Sequence, residues 1–129
     1  MGLTYVTVAV RATAKSRKKF EATFLVDSGA VDSMVPTSKL VRAGIRPVGR
    51  RAYELADGSP VEYDFGLAVI EFMGEITAGR VIFGPEKCVR LLGVTALESA
   101  GITIDPTSQR LKRLPAIPLK TANPVERSK

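Results

Sequence analysis

The chain has 129 residues, with 19 basic and 13 acidic side chains, one cysteine, no tryptophan and no histidine. That length suits one domain, which would bury about two-thirds of the surface its unfolded chain exposes, and is too short for two lobes. The lone Cys88 excludes an intrachain disulfide, fits a reducing cytoplasm and reads as a small buried hydrophobe, while the lack of histidine removes Ser-His-Asp and Cys-His triads and the common histidine-containing zinc sites.

Residues 3–12 are rich in Val, Thr and Tyr and read as a strand. A turn through Lys15-Ser16-Arg17-Lys18 leads to a second strand at 20–26, which completes a hairpin. The apolar run Phe24-Leu25-Val26 ends on Asp27-Ser28-Gly29-Ala30, so one carboxylate stands at the mouth of a buried strand. Residues 31–35 continue extended, and Pro36-Thr37 opens a short helix at 38–43, with Thr37 as N-cap and Gly44 as stop. Strands at 50–56 and 60–72 flank Asp57-Gly58, whose tolerance of positive φ signals a two-residue hairpin. Further strands follow at 76–83 and 89–92, then a helix at 95–100 ended by Gly101. Ile102-Thr103-Ile104 returns to the sheet, Asp105-Pro106-Thr107-Ser108 turns the chain, and a last strand spans 109–114. The sum is an all-β chain with one or two short helices.

The net charge of +6 is concentrated at the C-terminal end, where residues 110–129 hold six basic side chains against Glu126 alone. Interrupted by Pro115, Pro118 and Pro124, residues 115–129 read as a basic, flexible tail on a domain at 1–114. A solvated tail is the default reading, and nucleic acid is not expected as a partner, since few aromatics are available for stacking. No apolar run approaches the roughly 20 residues of a membrane span, and no basic region precedes a long apolar segment at the N-terminus. Met1-Gly2 fits a myristoylation signal only as far as Val6, where Ser or Thr is required. A soluble cytoplasmic protein is expected, without cofactor or metal, and no Walker-type phosphate loop occurs.

Four segments in order carry a resemblance. They are Leu25-Val26-Asp27-Ser28-Gly29-Ala30, then Ile70-Glu71-Phe72-Met73-Gly74, then Gly79-Arg80-Val81-Ile82-Phe83-Gly84-Pro85, and last Leu91-Leu92-Gly93 with residues 97–104. Together they resemble the subunit of a retropepsin-like aspartic protease, closer to the stand-alone bacterial members than to the retroviral ones. The resemblance implies an acid-protease barrel, a single lobe working as a homodimer on polypeptide substrates. It implies Asp27 as the catalytic acid, Ser28 as the hydroxyl that ties the two active-site loops together, and Gly29 as the point of close backbone approach. It also implies an apolar-apolar-Gly strand, Leu91-Leu92-Gly93, crossing behind the loop. Leu25, Ala30, Asp32, Met34 and Leu91 would line the substrate cleft beneath a flap tipped by Asp57 and Gly58. Two features of the retroviral enzymes are missing: Val31 stands where an acid is usual, and Val94 where an arginine is usual.

Metal-free peptide hydrolysis needs an activated water and a proton for the carbonyl oxygen and the departing amine, which two carboxylates sharing one proton provide. Aspartic proteases are the standard example of such a pair. With one Asp-Ser-Gly motif, the chain must take its second carboxylate from another copy. Asp32 is the internal rival for a catalytic acid, but on the family pattern it faces a subsite. Ala30 replaces the hydroxyl residue that pepsin-type enzymes often carry, so the dyad should titrate higher. The alternatives from other classes are a dimeric peptide-binding module on the same fold with little or no turnover, and a tethering domain acting through the basic tail.

Overall fold

The computed structural model describes residues 3–119. Within them the chain forms β1 (Tyr5–Arg11), β2 (Phe20–Asp27), β3 (Ser33–Pro36), α1 (Thr37–Arg42), β4 (Gly49–Glu54), β5 (Pro60–Phe72), β6 (Glu75–Gly84), β7 (Leu91–Gly93), α2 (Val94–Ala100), β8 (Ile102–Ile104) and β9 (Leu111–Arg113). Six strands close a barrel in the order β1-β2-β7-β3-β6-β5, because β5 returns to β1 through Ala9, Val10 and Arg11 opposite Glu71, Ile70 and Val69. Closure removes the free edges that an open sheet exposes. β4 lies outside the barrel, paired only with the first half of β5 from Pro60 to Phe65.

Period-two alternation explains the walls. Phe24 and Val26 of β2, and Gly66, Ala68, Ile70 and Phe72 of β5, point inward and are buried. In β6, which lies between β3 and β5, Val81, Ile82, Phe83 and Gly84 are all buried. Leu40 of α1 and Ala96, Leu97 and Ala100 of α2 complete the core. Each large side chain fully buried there, such as Phe24, Leu40, Ile70 or Leu92, contributes about 1.5–3 kcal/mol.

β7 is only three residues long and is wedged between two partners. It runs parallel to β2, with Asp27 opposite Gly93, and antiparallel to β3, with Met34 opposite Leu91.

The all-β expectation holds, and four local expectations are corrected. Asp57-Gly58 does not form a two-residue hairpin. Gly58 N–H donates to Leu55 O at 2.8 Å and Leu55 N–H to Ser59 O at 2.9 Å, with Gly58 alone at positive φ (87°). This is a three-residue loop with glycine in the left-handed position. The two-residue turn lies instead at Met73-Gly74, where both φ values are positive (53° and 78°) between Phe72 and its partner Glu75. Thr37 is not an N-cap: it is the first helical residue, and its hydroxyl donates to Gly84 O at 2.8 Å. The open end of α1 is met by Glu86, whose carboxylate accepts from Ser38 N–H at 2.9 Å and from the Ser38 hydroxyl. β8 does not rejoin the barrel, since it pairs with β9 in a separate two-stranded sheet. Cys88 is half-buried rather than buried, and partial burial raises its thiol pKa.

Beyond β9 the chain stays against the body as far as Ile117, which lies beside Gly101. The rest of the expected tail, from 120 onward, lies outside the described residues. No helix among the described residues is long and apolar enough to cross a membrane.

Candidate active site

Asp27 ends β2 immediately after buried Val26, so the strand delivers its carboxylate to the barrel rim half-buried. The loop that follows is closed on itself. Gly29 N–H donates to Asp27 Oδ1 at 2.9 Å, and Ala30 N–H donates to Asp27 O at 3.1 Å. It is also held from behind. The first N–H groups of α2 have no intrahelical acceptor, and two of them reach the loop: Val94 N–H donates to Ala30 O at 2.8 Å and Thr95 N–H to Val31 O at 3.2 Å.

Gly93 makes this closeness possible. A Cβ there would stand 2.7 Å from Val31 O and from the carbonyl carbon of Asp32, and its N–H donates to buried Ser33 Oγ at 3.0 Å. A side chain at 93 would push the Asp27 loop off β7.

Asp32 is 6% exposed, and two donors converge on one of its oxygens. Tyr53 OH lies 2.8 Å and Arg80 Nε 3.0 Å from Oδ2. Burial, and then the bond to Asp32, push the Tyr53 phenol up to about 12. The Arg80 guanidinium also lies over the Phe65 ring, 5.7 Å from its centroid. Burying a carboxylate is costly unless it is paired, and this one is.

A cleft of about 670 Å³ opens beside Asp27. Gly29, Ala30 and Val31 form one wall, Met34, Ile82 and Leu91 an apolar floor, and Tyr53, Glu54, Leu55, Ala56 and Tyr63 the wall from the β4–β5 hairpin. Its charged lining is Asp27, Asp32 and Glu54, with no Lys or Arg.

Of the residues expected from sequence, Asp27, Gly29, Ala30, Asp32, Met34 and Leu91 are brought together here. Three expected cleft residues are not. Leu25 sits in β2 opposite Leu91 but does not line the cleft. Asp57 and Gly58 are exposed at the far end of the hairpin, and Leu55 and Ala56 reach the cleft in their place. Ser28 turns away from the cleft into a separate groove of about 380 Å³ formed with Val94, Leu97, Ile102 and Ile104.

Sequence reasoning missed Tyr53, Tyr63, Arg80 and Ile82. Tyr53 and Arg80 were 21 and 48 residues from the carboxylate they serve. Among the described residues no group of His, Cys, Asp and Glu is arranged to hold a metal ion. Comparison with protein-family models and with curated proteins finds no match to this chain.

Proposed function

We propose that the chain is an aspartic endopeptidase of retropepsin-like architecture, in which a homodimer brings together two Asp27 side chains. One observation carries this reading. Asp27 stands at the mouth of a strand, on a loop backed by Gly93 of a strand wedged between β2 and β3, at the edge of a cleft with room for peptide side chains. The wedged strand is the counterpart of the apolar-apolar-Gly crossing that the resemblance implies.

A single chain supplies half of the chemistry. The Asp27 carboxylate accepts from Gly29 N–H, and Asp32 is engaged by Tyr53 and Arg80, so the partner for Asp27 comes from a second copy. Two carboxylates a few ångströms apart keep one proton between them. The ionised one removes a proton from water as it attacks the scissile carbonyl, and the protonated one donates to the carbonyl oxygen. Collapse of the tetrahedral species breaks the C–N bond, and the dyad returns a proton to the amine. Gly29 leaves space for substrate backbone beside the carboxylate, and Ser28 faces outward, available to the second copy.

Residues 1–114 constitute the catalytic unit and 115–129 an appended basic tail. The half-buried single thiol suits a reducing cytoplasm.

A fluorogenic peptide library tests the proposal. Cleavage by the wild type that is absent with Asp27→Asn supports it. Binding of peptides without cleavage would replace it with a peptide-binding module.

A further inference from the structure

Asp32, Tyr53 and Arg80 belong to three separated segments and meet at one oxygen atom. Asp32 precedes β3 and stands five residues beyond Asp27, Arg80 lies within β6, and Tyr53 is the penultimate residue of β4. Beyond Tyr53, residues 54–60 are exposed without exception. The tip of the hairpin is bonded internally: Ser59 N–H and its hydroxyl both donate to Asp57 Oδ1, at 2.9 and 2.6 Å. Tyr53 is thus the last point at which this arm of the hairpin touches a buried polar group of the barrel. Its ring lines the cleft beside that of Tyr63, with centroids 6.3 Å apart.

We propose that Tyr53 is a positioning residue. Its hydroxyl, fixed on the Asp32 carboxylate that Arg80 already holds, latches the turn end of β4 to the cleft wall. The latch confines opening to residues 54–60 and fixes the Tyr53 ring as a preformed wall for an apolar side chain of the substrate. Without the hydroxyl the ring is released and β4, an edge strand paired only with β5, frays from residue 53 back towards residue 50, so the peptide must order this stretch on binding, which weakens binding more than it slows the chemistry.

The reading of the cleft as a peptidase site underlies the second half of this proposal, and the test separates the two. Hydrogen exchange on the free protein, with no peptide present, compares the wild type with Tyr53→Phe. The variant keeps the ring and leaves Asp32 paired with Arg80, so the fold should hold. Protection at residues 50–53 should fall to the level of residues 54–59 while the barrel strands are unchanged. Unchanged protection at 50–53 overturns the latch, whether or not the protein cleaves peptides.

Steady-state kinetics on a cleaved peptide then reads the consequence. KM should rise about tenfold, the loss of one hydrogen bond to a charged group, with kcat within about twofold. A lower melting temperature with KM and kcat both unchanged makes Tyr53 merely structural and refutes the positioning role. Asp32→Asn keeps an acceptor for the phenol and should raise KM less than Tyr53→Phe does. In the double variant the two effects should fall short of multiplying, because both act through the same contact. Full multiplication would place the two residues in separate roles and overturn the proposal.

Discussion

The Asp27 loop and the turn of the β4–β5 hairpin line the same cleft, and each is a short glycine-containing turn, yet they are held differently. The loop is fastened by Gly29 and Ala30 N–H to Asp27, by Val94 and Thr95 N–H to its carbonyls, and by Gly93 packed beneath it. The hairpin turn is bonded within residues 55–59 and is exposed throughout. One wall is over-determined and the other nearly free. On the peptidase reading proposed above, the cleft needs both, a fixed wall for the chemistry and a movable one for entry.

The largest expected effect tests the fixed wall directly. Asp27→Asn is nearly isosteric, so the barrel should keep its melting temperature while peptide cleavage falls by a factor of about 10²–10⁴, the range for removing a general acid–base group. Far-ultraviolet circular dichroism and a peptide assay check the two halves.

Two glycine substitutions sharpen the comparison. Gly93→Ala drives a methyl group into the backbone at Val31 and Asp32 and should cost about 3 kcal/mol in chemical denaturation. Gly58→Ala meets only the Glu54 carboxylate, at an ordinary contact distance of 3.9 Å, and its φ of 87° alone opposes it, so about 1 kcal/mol is expected. Equal costs would mean that the Asp27 loop is no more tightly held than the hairpin turn.

A smaller effect concerns Ala30, half-buried beside Asp27 in the cleft. In Ala30→Ser the added hydroxyl could donate to the ionised form of the proposed Asp27 pair and stabilise it. The acidic limb of kcat/KM should then move down by up to about one pH unit. An unchanged or rising limb in a dimeric variant counts against Ala30 lying beside the reacting carboxylates.

The smallest effect lies away from the cleft, at the α1 end. Ser38, through its hydroxyl and then its N–H, holds the Glu86 carboxyl below its ordinary 4.5. Such a group contributes stability in full above 4.5, and the contribution is lost as the pH falls through the depressed folded value. Glu86→Gln should therefore lower the melting temperature slightly at pH 7 and flatten its decline towards acid. A variant that declines as steeply as the wild type would show that this cap is not a source of acid sensitivity.

What was legible in sequence follows the range of the forces involved. Strands β1, β2, β5 and β6 announce themselves because runs rich in β-branched and aromatic residues, bounded by turn residues, are a local signal. The helix stop at Gly101 reads equally well, and that residue adopts φ 72°. The site's centre was visible because Asp27-Ser28-Gly29 is contiguous. Its supports were not. Thr37 has the residue type of a cap, but it is drawn instead to Gly84, and Glu86, 48 residues beyond Ser38, takes the capping position. Met73 in a left-handed conformation defeats turn rules that look for Asn or Gly. Tyr53 and Arg80 look like ordinary strand residues until the barrel closes and brings them to Asp32.

Whether two copies share the proposed active site is decided by peptide cleavage per chain across a dilution series, with sedimentation equilibrium on the same samples. Activity per chain should fall in step with the dimer fraction, because each chain carries one Asp27 and one such loop. Undiminished activity from a chain shown to be monomeric would rule out a dyad built from two copies of Asp27.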